Sequence, residues 1–149
     1  MPMQSTDSIE AARDFAGSLE GAVVFRVWRG AGSAVFLELG ELSGGAEGER
    51  EMGIGIEWSW RIQKGCRVLL GSWDEPGEID SVAGLLEGRT VSSVSFFLEV
   101  PEVRVRVDGG LPLLSFTTVS GDPQWTLRNA QQRYLYFEGG RYRYENPGP

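Results

Sequence analysis

The chain has no histidine and one cysteine, Cys66, in 149 residues. Without histidine, neither a Ser-His-Asp nor a Cys-His arrangement can be drawn. A zinc ion would find mostly carboxylates in place of its usual cysteine and histidine ligands. A lone cysteine allows no intrachain disulfide, which fits a reducing cytoplasm. No Gly-x-x-x-x-Gly-Lys-Ser/Thr loop occurs, and no Gly-x-Gly-x-x-Gly sits between a strand and a helix, which removes the common phosphate-cradling loops. Lysine is nearly missing as well: Lys64 is the one lysine among 14 basic residues. No apolar run approaches the roughly 20 residues of a membrane-spanning helix. Met1 to Asp7 shows neither the basic start nor the apolar stretch of a signal peptide. The expectation is a cytoplasmic chain with no membrane segment, no cofactor and no catalytic centre. Carboxylate acid–base chemistry is the one enzymatic route left open.

What the chain does have is glycine, 21 residues of it, about twice the usual share and a sign of many turns. Its length suits one domain, residues 1–149, with a sizeable core. Ile9, Ala12, Phe15, Ala16 and Leu19 recur at helical steps, so an amphipathic helix is expected over Asp7–Leu19, with Asp7 as N-cap and Gly21 as stop. A shorter helical turn is expected over Asp80–Leu86, ending at Gly88. Elsewhere the apolar period is two. Val23-Phe25-Val27 and Val35-Leu37-Leu39 flank a turn at Gly30-Ala31-Gly32. Val91–Leu98 and Val103-Val105-Val107 precede a turn at Asp108-Gly109-Gly110, and Leu113–Val119 follows it. Glycine pairs between alternating runs favour hairpins, because glycine accepts the positive φ those turns need. Gly44–Glu49 reads as a polar loop.

The two halves share a signature. Leu19-Glu20-Gly21 with Val24 and Val27 returns as Leu86-Glu87-Gly88 with Val91 and Val94, and Asp7-Ser8-Ile9 precedes the first as Asp80-Ser81-Val82 precedes the second. One β unit used twice is therefore expected, over about 7–73 and 80–127, followed by a C-terminal hairpin over 133–144. The expected fold is mainly β (α+β), two copies of a short-helix plus antiparallel-strand unit packed as a sandwich or partly open barrel. A closed lipocalin-like barrel is the competing arrangement.

Glu49–Ile62 reads as the strongest strand, with Ile54, Ile56, Trp58, Trp60 and Ile62 on one face and Glu57 and Arg61 on the other. Trp58 and Trp60 are either core fillers or the aromatic floor of a ligand pocket. Asp108 and Asp122 sit where turns want a carboxylate. Asp74–Asp80 is an acidic segment between the two units, read as a linker with a helix-start aspartate. In the tail, Arg133–Phe137 and Arg141-Tyr142-Arg143-Tyr144 flank Gly139-Gly140, which suggests a hairpin with tyrosines on one side and arginines on the other. Its uses are partner contact, including a second copy of the chain, or cover for a sheet edge. Nucleic acid is disfavoured by the net charge of −7.

The run Leu86-x-Gly88-x-x-Val91-x-x-Val94, the alternating valines after it and the Asp108-Gly109 turn resemble small uncharacterised bacterial proteins, some of them immunity-like. The resemblance covers 80–127, with a fainter echo in 19–73. It implies neutralisation of a toxin by binding, and it brings no catalytic or ligand residues. Two functions are thus expected. The first is a non-catalytic module offering an acidic surface to a basic protein partner. The second is a small-molecule binder with a pocket at Trp58 and Trp60. Tyr142, Arg143 and Tyr144 are further candidate contacts.

Overall fold

The computed structural model describes residues 8–42 and 50–146. Helix α1 (Ile9–Gly17) opens the described chain. Ser8 caps it, its Oγ accepting hydrogen bonds from the N–H groups of Glu10 and Ala11, two donors that no helical carbonyl satisfies. Asp7, the expected cap, and the Gly44–Glu49 loop lie outside the described residues. Strands β1 (Val24–Arg29), β2 (Val35–Leu42) and β3 (Arg50–Ile56) form an antiparallel meander. The chain then changes sheet through Glu57–Ser59 into the hairpin β4 (Trp60–Lys64) and β5 (Arg67–Gly71). Helix α2 (Pro76–Ala83) and a 3-10 turn (Gly84–Leu86) lead to a second meander, β6 (Val91–Phe97), β7 (Glu102–Val107) and β8 (Pro112–Ser115). A second change of sheet brings β9 (Trp125–Arg128), β10 (Tyr134–Glu138) and β11 (Arg141–Glu145).

The strands make a six-stranded sheet, β1-β2-β3-β9-β10-β11, and a five-stranded sheet, β5-β4-β8-β7-β6. The architecture is a mainly β sandwich, not a closed barrel. Ile54, Ile56, Leu127 and Leu135 from one sheet meet Ile62, Val105, Leu113 and Val103 from the other in a single core. Helix α1 packs beside β6 and helix α2 beside β1 and β5. Each helix thereby closes one open side of the sandwich, α1 with Ala12, Phe15 and Ala16 and α2 with Ile79.

Three local expectations need correction. Glu49–Ile62 is not one strand: it breaks at Glu57–Ser59, where the chain passes between sheets. The alternation runs through the break because Ile56, at the end of β3, and Trp60, at the start of β4, are buried in the same core from opposite sheets. Glu57 and Arg61 do not share a strand face, since Glu57 lies in the crossover and the Arg61 guanidinium lies 4.6 Å from the Phe116 ring centroid. The second helix begins at Pro76 rather than Asp80, so residues 76–80 of the acidic segment form its first turns. Proline suits that first helical position because its missing N–H is not needed there.

The two halves of the chain are connected alike. Each meander is followed by strands that cross over and pair beside the third strand of the other meander, β4 beside β8 and β9 beside β3. Where β1 and β6 begin, the backbones bond reciprocally. Gly21 N–H donates to Val91 O and Gly88 N–H to Val24 O; Val24 N–H donates to Arg89 O and Val91 N–H to Ala22 O, all at 2.8 Å. Val23 faces Thr90 in that bridge. Gly21 and Gly88 take φ of +90° and +82°, a backbone state that side chains disfavour. β10 holds the place beside β9 that β5 holds beside β4, with Leu135 opposite Leu127 and Leu70 opposite Ile62. β11 has no counterpart.

A tryptophan marks each change of sheet. Trp60 and Trp125 are the first residues of β4 and β9, 2 % and 1 % exposed. Each donates its indole N–H to a carbonyl in the first hairpin of its own half, Trp60 to Ser33 O at 2.6 Å and Trp125 to Pro101 O at 2.8 Å. A buried indole needs such a partner. Replacing either by alanine is expected to cost about 3–5 kcal/mol, read from urea unfolding. A loss below about 1 kcal/mol at either position would show that its site is not part of the common core.

Candidate functional site

The outer face of the six-stranded sheet carries two rows of side chains that cross all six strands. In the first, Trp28, Phe36, Gly55, Thr126, Tyr136 and Arg143 stand next to one another in register. In the second, the order is Arg26, Glu38, Gly53, Arg128, Tyr134 and Glu145. Both rows dip at β3, the third strand, because it presents glycine to the outside twice. Glycine inside a strand commonly marks close approach by another group. A Cβ on Gly55 would lie 3.0 Å from Phe36 Cδ1, and one on Gly53 would lie 3.2 Å from Arg128 Nη2. The Phe36 ring and the Arg128 guanidinium rest on the bare backbone.

Around this floor the walls are aromatic and charged. Trp28 and Phe36 stack with centroids 4.4 Å apart and planes 25° apart. The Arg26 guanidinium lies 5.9 Å from the Trp28 centroid. Arg128 Nη2 meets Glu38 Oε2 at 3.4 Å, with both side chains about one-fifth exposed. The recess so formed has a volume of about 270 Å³, and Glu57 at the crossover also lines it. A second recess of about 300 Å³ adjoins it across Thr126 and Tyr134, walled by Pro123, Tyr136, Glu138 and Glu145. Tyr136 donates its hydroxyl hydrogen to Glu145 Oε1 at 2.7 Å. That bond to a carboxylate raises the Tyr136 pKa above its ordinary 10.0; burial and the negative charges of Glu145 and Glu138 raise it further, while Arg143 opposes them.

The residues singled out from sequence are dispersed. Trp60 fills the core, and Trp58 is half-buried in the crossover, its carbonyl accepting a hydrogen bond from Ser33 Oγ at 2.7 Å. The tail does form the expected hairpin, β10 with β11. Its tyrosines divide between faces. Tyr142 is buried and Tyr144 half-buried in an inner aromatic cluster with Phe15, Phe96 and Phe137, while Tyr134 and Tyr136 look outward into the recesses. Of the sequence candidates, Arg143 alone stands in the outer rows. Sequence reasoning missed Trp28, Phe36, Glu38 and Arg128. The signal was the pair Gly53 and Gly55 on an apolar strand, whose meaning depends on neighbours from strands far away in sequence.

No family model matches the chain, and no curated protein and no solved structure matches it. No described helix is long and apolar enough to cross a membrane.

Tyr142 also has a raised pKa, chiefly from burial. Both tyrosines hold their protons more tightly in the folded chain than in the unfolded one. Their contribution to stability is therefore complete below about pH 10 and is lost as pH rises through their folded values. In a phenolate absorbance titration, Glu145→Gln is expected to lower the Tyr136 transition towards its ordinary value and leave Tyr142 in place. An unmoved Tyr136 transition would show that Glu145 does not control this recess.

Proposed function

We propose that this chain is a non-catalytic protein-binding module, acting in the cytoplasm, whose contact surface is the grooved outer face of the six-stranded sheet. Its partner is a more basic protein. The observation that carries this reading is the lining of the two recesses: Glu38, Glu57, Glu138 and Glu145 line them with one basic residue, Arg128, which pairs with Glu38, while Arg26 and Arg143 stand at the ends of the outer rows. Each recess lies at or just below the small end of the range for ligand pockets, about 300 Å³ upward, and has room for one inserted side chain. A lysine or arginine suits it. The aliphatic stem lies along the glycine floor and the aromatic wall, and the charge meets the carboxylates. Tyrosine, tryptophan and arginine are the residue types that concentrate binding energy at protein interfaces, and the groove contains all three.

An immunity-type role, in which the module covers a basic toxin, is the form of this reading that the sequence resemblance suggests. The matched connectivity and the reciprocal bonds at Gly21–Val24 and Gly88–Val91 support reading the halves as two copies of one unit. A small-molecule role has narrower support: the stacked Trp28–Phe36 wall suits a planar ligand, but Trp60 is spent in the core.

The test is an amide-shift titration of the labelled chain with a short lysine- and arginine-rich peptide, using an acidic peptide of equal length as control. Shifts are expected to cluster at Gly53, Gly55, Thr126, Tyr134 and Tyr136, and affinity to fall as salt screens the carboxylates. The double variant Glu138→Gln/Glu145→Gln is expected to weaken binding about tenfold, the equivalent of about 1.4 kcal/mol. Gly55→Leu, which fills the first recess, should weaken it comparably. Shifts confined to other surfaces, or equal response to the acidic peptide, would refute the reading.

A further inference from the structure

The outer face of the five-stranded sheet is built differently. Its central row runs Ser95, Arg104, Leu114, Arg61 and Gly71 across all five strands, and beside it Arg106 stands opposite Pro112. On β8, the third strand of its meander, Leu114 and Pro112 occupy the outward places that Gly55 and Gly53 hold on β3. Both are buried, so this face is filled rather than grooved. Arg104 lies 4.8 Å from the Phe97 ring centroid and Arg61 4.6 Å from that of Phe116, and the two rings meet edge-on at 6.2 Å.

None of Arg61, Arg104 and Arg106 makes an ion pair among the described residues. Glu102, the carboxylate at the start of β7, is no counter-ion for them. It is 4 % exposed and accepts hydrogen bonds from Ser115 Oγ, Thr117 Oγ1 and Thr117 N–H. Three guanidinium groups thus share a flat aromatic face in a chain of net charge −7.

The complementary group stands next to them. Gly71 is directly opposite Arg61, and from Gly71 the chain turns into Trp73, 91 % exposed. Asp74 holds that turn, its Oδ2 accepting from Gly71 N–H at 2.8 Å. Glu75 and Glu78 follow, both exposed and outside the ion pairs of the described residues. An indole so fully presented by a hydrogen-bonded turn, close in sequence to exposed Val68 and Leu69, is an apolar contact without a partner among the described residues.

We propose that two copies of this chain associate about a two-fold axis through the outer faces of their five-stranded sheets. The Trp73–Glu78 segment of each lies on the Arg61, Arg104 and Arg106 face of the other. A self-complementary patch with the donor and acceptor halves side by side is what a closed two-fold interface requires. Trp73 packs against the mate's Phe97 and Phe116. Glu75 and Glu78 neutralise its arginines, and the charges select the antiparallel sense because the parallel one opposes like charges. The negative net charge disfavours a polyanion as the occupant. This surface is separate from the groove, and neither reading depends on the other.

Light scattering on eluting protein and sedimentation over a range of concentrations test the proposal. The wild-type chain is expected at twice the monomer mass. Arg104→Glu/Arg106→Glu and Glu75→Arg/Glu78→Arg are each expected to raise the dimer dissociation constant tenfold or more. An equimolar mixture of the two variants is expected to restore the dimer, since each supplies the charge the other needs. Four outcomes would overturn the proposal: a monomer at every concentration, assemblies larger than two, a dimer that persists in both variants, or a mixture that fails to pair. Should a charge variant lose its β-sheet circular dichroism, Trp73→Ser gives an independent reading. It is expected to weaken the dimer tenfold or more, and an unchanged dimer would again overturn the proposal.

Discussion

A short antiparallel ladder between two segments of like sequence holds the two sheets in relation to each other. Gly21–Val24 and Gly88–Val91 exchange four backbone hydrogen bonds at the points where β1 and β6 begin. Those strands are outer members of different sheets, so the ladder ties edge to edge at the start of two strands that would otherwise be unpaired there. The helices that precede these segments then lie along the open sides, α1 beside β6 and α2 beside β1. The first strand of each meander and the helix that precedes it are thus positioned at that junction.

On this similarly connected frame the outer faces differ through a few side chains. Gly53 and Gly55 let Phe36 and Arg128 sink onto the backbone of one sheet, and the space above becomes a groove. Pro112 and Leu114 fill the corresponding strand of the other sheet, and its neighbours Arg61 and Arg104 are held up against phenylalanine rings. A groove admits an inserted side chain, whereas a filled face is suited to another flat surface. β3 and β8 hold equivalent places in their sheets, and the faces differ in the side-chain volume those two strands present.

Charge follows the same division. On the grooved face positive and negative groups are interleaved, with Glu38 against Arg128 and Glu145 against the Tyr136 hydroxyl. On the filled face the arginines make no ion pair among the described residues, while acidic residues collect from Asp74 into α2, where Asp80 alone is ion-paired, with Arg29. Exposed charges of one sign repel weakly in water, roughly 1 kcal/mol at 4 Å. The chain therefore tolerates this separation at small cost and presents two electrostatically distinct surfaces.

The local structure was largely legible in the sequence, because short-range chemistry decides it. The helical spacing of Ala12, Phe15 and Ala16, the turns at Gly30–Gly32 and Asp108–Gly110, and the hairpin about Gly139-Gly140 need only nearby residues to be recognised. The repeated Leu-Glu-Gly motif likewise marked the two segments that begin β1 and β6. Tertiary structure alone decided where the chain changes sheets. Alternation from Ile54 to Ile62 is the same whether it describes one strand or two that face a shared core, and the break at Glu57–Ser59 leaves no trace in the period. The groove was hidden for a related reason. Gly55, Thr126 and Phe36 become neighbours only when β3 pairs with β2 on one side and β9 on the other, and register between distant strands is set by burial of the whole core rather than by any residue's own preference.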